Sequence, residues 1–172
     1  MGTLALVVSY DGSGFAGSQV QPGERTVQGE LERSLRFLAP KWTGRSVFAG
    51  RTDRGVHAAR QVVSLDDIRV DLPAETIRRA INARLPEDRS VLEIVRFDEL
   101  FHARFDAHWR EYRYRIWFGP EEPLARRQTW RRTGSPDLGA MQSAAAAIAG
   151  THDFAAFAGG GEGVPGSARS ER

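Results

Sequence analysis

A single carboxylate stands among arginines in "FAGRTDRGVHA", residues 48–58. Asp53 has Arg51 and Arg54 close by, and glycines bracket the three. Arginines near a carboxylate lower its pKa, so the pattern predicts a charged aspartate at neutral pH. An anionic aspartate can act as a nucleophile or as an electrostatic stabiliser, and it is poorly suited to be a general acid. An ordinary Asp–Arg ion pair that pins a surface loop is the alternative. The spacing alone leaves both open, with the ion pair the commoner of the two.

Other kinds of site fit the sequence less well. Residues 12–17, "GSGFAG", match the G-x-G-x-x-G dinucleotide pattern, but Pro22 intervenes and helical spacing begins only after Thr26, so we interpret the match as chance. The chain has no cysteine and its four histidines are scattered, so no metal site is predicted. His57 is instead predicted to brace the loop through hydrogen bonds. No second carboxylate stands near Asp53, which argues against a glycosidase-type acid–base pair.

The first hundred residues predict the elements that must hold this loop. Short apolar runs predict strands, and apolar residues at helical spacing predict helices. The predicted strands are residues 3–10, 45–49, 60–66 and 90–97. One predicted helix begins at Thr26, and the other spans residues 72–85. The order β-α-β-β-α-β predicts an α+β fold of the ferredoxin-like type. The Asp53 loop then joins the two middle strands of this order, and it is longer than an ordinary hairpin turn.

Aromatic residues and arginines alternate in "AHWREYRYRIWF", residues 107–118, which predicts one long strand. Alternation would place Tyr112 and Tyr114 on one face and Arg113 and Arg115 on the other. Aromatic residues on a strand are by default core or sheet-surface residues. Beside arginines they can instead form a stacking platform for a nucleobase.

Basic residues are unevenly distributed, although the net charge is only +2. Residues 104–132 carry eight arginines and four acids, and Lys41 is the one lysine among the 24 basic residues. The planar guanidinium group suits phosphate contacts and base stacking, although genome composition can also favour arginine. The local surplus favours RNA as a partner. The candidate RNA contacts are Arg104, Arg110, Arg113 and Arg115.

Residues 135–150, "SPDLGAMQSAAAAIAG", predict a helix that begins at Asp137. A strand and a helix without further strands predict the start of a second similar half. The chain is therefore predicted to divide into a ferredoxin-like subdomain, residues 1–100, which carries the loop, and an incomplete RNA-binding subdomain, residues 101–172. The tail, residues 157–172, shows no periodicity.

Composition predicts a cytoplasmic globular protein. Hydrophobic residues make up 41% of the chain and charged residues 27%, which is ordinary for a soluble domain. No apolar run reaches the length of a membrane span, and the first residues lack the basic segment of a signal peptide. We therefore expect no membrane association and no secretion.

Five segments resemble, in the same order, the TruA-type tRNA pseudouridine synthases, isomerases that convert uridines of the anticodon stem-loop, at tRNA positions 38 to 40, into pseudouridine. The segments are "YDGSGFAGSQVQPGERTVQGELE" (10–32), "AGRTDRGVHA" (49–58), "NARLP" (82–86), "FHARFDAHWREYRYRI" (101–116) and "THDFAAF" (151–157). The second and fourth are highly specific, and the five together extend over nearly all of the chain.

The resemblance implies a role for several residues. Asp53 matches the family's essential aspartate, which forms a covalent adduct with the target nucleotide. Arg51 would help to flip the uridine out of the stack and would fill the space it leaves. Tyr112 would stack on the flipped base and could help remove a proton, and Gly55 with His57 would support the loop. The resemblance further implies a pseudouridine synthase fold, a tRNA partner, no metal or cofactor, and a homodimer in the complete protein.

Two departures from the family pattern stand out. Ser18 occupies a position where relatives usually carry a large aromatic residue, and the sequence alone offers no interpretation of it. Relatives also continue further, complete the second half and supply a basic residue that pairs with the catalytic aspartate. The chain is therefore predicted to be truncated at its C-terminal end, which would leave residues 107–118 at an open sheet edge that is prone to misassociation.

Two rival functions remain at this point. A non-catalytic RNA-recognition domain would carry aromatic residues in the pattern R-G-F-x-F-V-x-F, and "RQVVSLD", residues 60–66, has none. A degenerate remnant, which keeps the motif but lacks the partner strands, stays open.

Overall fold

The computed structural model of the chain describes residues 3–66, 68, 70–157 and 169–170. It divides into two compact units, the first ending at Tyr114 and the second beginning at Arg115. The Asp53 loop and Tyr112 both belong to the first unit. Within the described residues, no helix combines the length and the apolar character that crossing a membrane requires.

The first unit is an antiparallel sheet with two α-helices. Its elements are β1 (Thr3–Tyr10), α1 (Val27–Leu38), β2 (Ser46–Phe48), β3 (Ala58–Leu65), α2 (Ala74–Asn82) and β4 (Arg89–Phe97). The strands lie in the order β2-β3-β1-β4, and every neighbouring pair is antiparallel. The predicted α+β class and the six predicted elements are confirmed, with ends that differ by a few residues.

The core of the first unit explains why these segments fold. Leu6 and Val8 of the central strand β1 are fully buried, as are Leu31 of α1 and Ile81 of α2. They belong to one apolar cluster. Helix α1 begins where the sequence predicts, because the side chain of Thr26 accepts a hydrogen bond from the backbone N–H of Gly29.

Helix α2 is tied to β4 through a side-chain amide. The Asn82 Nδ2 donates to the Val91 carbonyl at 2.8 Å, and the Asn82 Oδ1 accepts from the Val91 N–H, also at 2.8 Å. The amide therefore takes the place of a neighbouring strand at this point of β4.

The predicted long strand over residues 107–118 is wrong. Only Ile116–Trp117, which forms β5, is a strand, and it pairs in parallel with β6 (Trp130–Arg131). A strand persists only where its backbone finds hydrogen-bonding partners on a neighbour. Within the described part of the chain, residues 107–114 have no such neighbour, and pairing with β6 begins only at Arg115, whose carbonyl accepts from the Trp130 N–H at 2.8 Å. Tyr112 and Tyr114 therefore do not share a sheet face.

Among the described residues of the second unit, regular structure amounts to one α-helix and a few very short elements. Helix α3 (Leu138–Ile148) begins at Asp137, as predicted, because the Asp137 Oδ1 accepts from the Ala140 N–H at 2.9 Å. Strands β7 (His152–Asp153) and β8 (Arg169–Ser170) form a two-residue antiparallel pair. None of residues 115–157 is buried. Most of the tail that was predicted to be irregular lies outside the described residues.

Candidate active site

The Asp53 loop, residues 49–57, connects the edge strand β2 to β3. Its entry is fixed by Gln61, a residue of β3. The Gln61 Nε2 donates to the Gly50 carbonyl at 2.8 Å, and the Gln61 Oε1 accepts from the Gly50 N–H at 3.2 Å. The loop therefore leaves the sheet in a defined direction.

The residue directly before Asp53 is held by side chains from outside the loop. The Thr52 hydroxyl lies 2.8 Å from the hydroxyl of Tyr10, the last residue of β1. The Thr52 N–H donates to the Ser18 Oγ at 2.9 Å, and the Thr52 carbonyl accepts from the Ser18 N–H at 2.9 Å. Tyr10 and Ser18 are both buried. Rigid, buried parts of the unit therefore fix the backbone next to the carboxylate.

Burial raises the pKa of the Tyr10 hydroxyl, and hydrogen bonds with Thr52 and Gln61 oppose the rise. The nearby Tyr112 adds a small electrostatic contribution that raises the pKa further. Tyr10 therefore stays neutral at physiological pH, and either hydroxyl can be the donor in its contact with Thr52.

The exit of the loop depends on two glycines. Gly55 has a φ of +80°, in the left-handed region, and its N–H donates to the Phe15 carbonyl at 3.3 Å. A Cβ on Gly12 would lie 2.0 Å from the Val56 carbonyl oxygen, so only glycine permits this approach. The glycine-rich stretch of residues 12–17 thus serves as a close-packed support for the loop.

His57 lies at the end of the loop. Its Nδ1 is 3.2 Å from the backbone nitrogen of Gly12 and 3.1 Å from the Asp11 Oδ1. An unprotonated Nδ1 accepts from the Gly12 N–H, whereas a protonated one donates to the carboxylate. Both protonation states connect the loop to the segment that follows β1.

Asp53 itself is exposed. Among the described residues, no hydrogen bond or ion pair engages its carboxylate. Arg54 instead pairs with Glu24 at 3.5 Å, and Arg51 is exposed beside Asp53. The Asp–Arg ion pair that the spacing left open is therefore not formed. The loop therefore presents a carboxylate to solvent, while hydrogen bonds to Thr52 and Gly50 hold its backbone.

Tyr112 lies beside the same loop. A Cβ on Gly50 would come within 3.1 Å of the Tyr112 hydroxyl oxygen, so the glycine leaves room for the tyrosine. The side chain is largely exposed, with 72% of its surface accessible. The segment that carries it is anchored to the sheet, because the Ala103 N–H donates to the Ser64 Oγ at 3.1 Å. The first unit therefore places the predicted stacking residue beside Gly50, at the start of the loop that carries the predicted carboxylate.

Arg110 holds the two segments in place. Its Nε donates to the Ala49 carbonyl at 2.7 Å, and its Nη2 donates to the Arg104 carbonyl at 2.6 Å. The guanidinium thus bridges the start of the loop and the segment before Tyr112. The sequence did not reveal this contact, since the residues lie far apart along the chain.

The other candidate RNA contacts are placed differently. Arg104 lies on the exposed surface near the ring of Phe105, at 5.9 Å from its centre. Arg113 pairs with Glu111 at 2.9 Å. Arg115 belongs to the second unit, where its Nη1 donates to a side-chain oxygen of residue 128 at 3.3 Å.

Within the part of the chain that the structure describes, no group of three or more histidine or acidic side chains is arranged to hold a metal ion.

Comparison with known proteins identifies the family of the chain. Residues 6–106, more than half of the chain, match the family model described as tRNA pseudouridine synthase. The chain belongs to the tRNA pseudouridine synthase family, whose name denotes isomerases that act on RNA. The matched range includes the whole Asp53 loop and Ser18.

Curated relatives with the name tRNA pseudouridine synthase A support the same family. The protein from Nitratidesulfovibrio vulgaris is 47% identical over 171 residues, covering 91% of this chain and 58% of the relative. The protein from Halalkalibacterium halodurans is 43% identical over 158 residues, covering 91% of this chain and 60% of the relative. The chain thus spans about 60% of the length of the curated relatives it matches.

Proposed function

We propose that this chain carries the catalytic part of a tRNA pseudouridine synthase, which isomerises uridine to pseudouridine in the anticodon stem-loop of tRNA. The observation that carries the proposal is the state of Asp53. Its carboxylate is exposed and engages no described partner, while the backbone of the preceding residue is held by buried side chains. A preorganised carboxylate of this kind can meet a substrate without first breaking a protein contact.

The isomerisation needs a group that holds the nucleotide while the base is detached. The C1′–N1 bond breaks, the uracil turns within the site, and C5 forms the new bond to C1′. The proton that C5 loses is balanced by the proton that N1 gains, so no atom or electron enters or leaves overall. We assign to Asp53 the capture of the ribose: its carboxylate bonds to C1′ as the C1′–N1 bond breaks, and C5 displaces the carboxylate when the new bond to C1′ forms, which regenerates Asp53. The reaction balances without a cofactor.

Tyr112 would retain the uracil. Its ring is largely exposed next to the loop, where a flipped base could stack on it. Arg51 is exposed and lies two residues before Asp53. Its side chain would fill the space that the uridine leaves. Flipping a nucleotide costs a few kcal/mol, which phosphate contacts can offset. Arg104 and Arg113 are the exposed arginines of the first unit from which we expect such contacts, whereas Arg110 is engaged with the loop.

The finer description of the fold is also part of this proposal. The strand order β2-β3-β1-β4 with two helical crossovers supports a ferredoxin-like half in the pseudouridine synthase fold. The division into residues 1–100 and 101–172, the homodimer of the complete protein and the cytoplasmic location remain predictions.

A second candidate function is a non-catalytic RNA-binding remnant of such an enzyme. It is favoured by one observation: residues 115–157 bury no side chain. This candidate predicts tRNA binding without product.

The test is pseudouridine formation in an unmodified tRNA transcript. The unchanged chain is compared with Asp53→Asn, which is nearly isosteric but lacks the anion, and with Asp98→Asn, a matched exposed aspartate of the same unit. We expect product from the unchanged chain and from Asp98→Asn, and none from Asp53→Asn. Product from Asp53→Asn would refute the role of Asp53. A folded chain that binds tRNA but forms no product would favour the remnant.

A further inference from the structure

We infer that Ser18 is a positioning residue for the Asp53 carboxylate. It holds the two peptide groups on either side of Thr52 and thereby sets where Arg51 and Asp53 stand. This inference rests on the proposed function for its catalytic consequence, whereas its structural part concerns the loop alone.

The geometry of Ser18 is that of a clamp. Its side chain and backbone make three hydrogen bonds to one residue. The Ser18 Oγ accepts from the Thr52 N–H at 2.9 Å and donates to the Thr52 carbonyl at 3.3 Å. The Ser18 N–H donates to the same carbonyl at 2.9 Å. One hydroxyl can donate and accept at the same time, so these contacts are compatible.

The clamp acts on two consecutive peptide planes. The Thr52 N–H belongs to the planar peptide group that joins Arg51 to Thr52, and the Thr52 carbonyl belongs to the one that joins Thr52 to Asp53. Fixing both planes fixes φ and ψ of Thr52. The Cα positions of Arg51 and Asp53 then follow, although neither of these side chains is itself held by the clamp.

Ser18 is suited to this role because it is itself buried and hydrogen-bonded to α1. None of its surface is accessible. Its carbonyl accepts from the Gln28 N–H at 2.9 Å, and the preceding Gly17 carbonyl accepts from the Val27 N–H at 3.3 Å. Both donors lie in the first turn of α1, and Val27 is fully buried in the core. The clamp therefore connects the loop to the buried first turn of α1.

A hydroxyl with a purely structural role would have different effects on stability and on catalysis when it is removed. It would affect global stability but not the reaction of the folded protein. A positioning residue lowers kcat while substrate binding persists, because misplacement of a reacting group affects the transition state more than the bound ground state.

The experiment compares Ser18→Ala and Ser18→Thr in the 172-residue chain with Ser34→Ala. Ser34 is also buried, and its hydroxyl donates to the Glu30 carbonyl within α1, away from the loop. Pseudouridine formation gives kcat and KM, and amide hydrogen exchange reports on Thr52. For Ser18→Ala we expect a kcat about 10- to 100-fold lower, a KM within about threefold, and exchange at Thr52 on the order of tenfold faster.

Ser18→Thr keeps the hydroxyl, so we expect it to preserve slow exchange at Thr52 and most of kcat. Ser34→Ala should change neither quantity. Unchanged kcat and unchanged Thr52 exchange in Ser18→Ala would overturn the inference, and so would a Ser18→Thr variant no better than Ser18→Ala.

The two proposals can fail separately. An unchanged chain that forms no pseudouridine refutes the proposed function. The hydrogen-exchange measurement then still tests the clamp. Faster exchange in Ser18→Ala that is confined to Thr52 and its neighbours supports the clamp. Exchange at Thr52 that is equal in Ser18→Ala and Ser18→Thr overturns it.

Discussion

The two units of this chain contain the same kinds of helix cap and turn glycine, but they differ in how far their side chains are buried. Each contains a helix with a side-chain N-cap and a glycine in the left-handed region. In the first unit these devices surround a core in which Leu31 and its neighbours are fully buried. In residues 115–157 no side chain is buried, and Ile148 at the end of α3 is 58% exposed.

This difference shows that caps and glycines determine where a helix or turn forms, whereas the burial of apolar side chains determines how stable it is. An isolated helix of about a dozen residues is marginal in water, because most helical stability in proteins comes from packing of an apolar face. The 11 residues of α3 are therefore expected to contribute little to cooperative unfolding. The first unit should account for the main transition, and three pairs of matched substitutions test this.

The largest difference is expected between two aliphatic truncations. Leu31→Ala removes a fully buried side chain and should lower the free energy of unfolding by about 2–5 kcal/mol. Ile148→Ala changes an exposed position and should stay within about 0.5 kcal/mol. Urea denaturation followed by circular dichroism measures both. Equal losses would show that α3 is packed against a surface that contributes to folding.

A smaller difference is expected between two glycines. Gly55 and Gly134 have φ values of +80° and +89°, and a Cβ at either position would meet no described atom within 4 Å. Alanine therefore adds only backbone strain, about 1–2 kcal/mol. Gly55→Ala should lower the melting temperature, whereas Gly134→Ala should leave the main transition in place. A shift with Gly134→Ala would contradict the proposed separation of stability between the units.

The smallest difference is expected between the two helix caps. Thr26→Ala removes the acceptor for the Gly29 N–H and should cost about 1 kcal/mol. Asp137→Ala removes the equivalent acceptor at α3 and should reduce the helical signal without moving the main melting transition. Thermal unfolding monitored at a helix-sensitive wavelength distinguishes the two. An equal shift in melting temperature for both variants would again place α3 inside the cooperative unit.

Sequence reasoning succeeded where a property is local. The apolar run of β1, the cap at Thr26 and the cap at Asp137 each lie within a few residues of the element they define, so pattern alone predicts them. The strand over residues 107–118 was predicted wrongly, because strand formation depends on a neighbour that a local pattern does not contain.

The site was predictable only in part, because its motif is local in the sequence and its supporting contacts are not. The motif singles out Asp53 and its glycines, but it does not show that Arg54 pairs with Glu24 and leaves the carboxylate to solvent. Nor does it show that Ser18 holds Thr52, since these residues are 34 positions apart along the chain. Contacts of this kind arise only once the sheet has assembled.

The central place of β1 has a consequence for synthesis on the ribosome. β1 (Thr3–Tyr10) pairs with β3 (Ala58–Leu65) and β4 (Arg89–Phe97), both of which are translated later. At about 5–20 residues per second, the last partner follows β1 after roughly 4–16 s. During that interval the apolar strand β1 lacks at least one of its two partner strands. A chaperone that binds exposed apolar segments of nascent chains would therefore act on β1 before β4 is made.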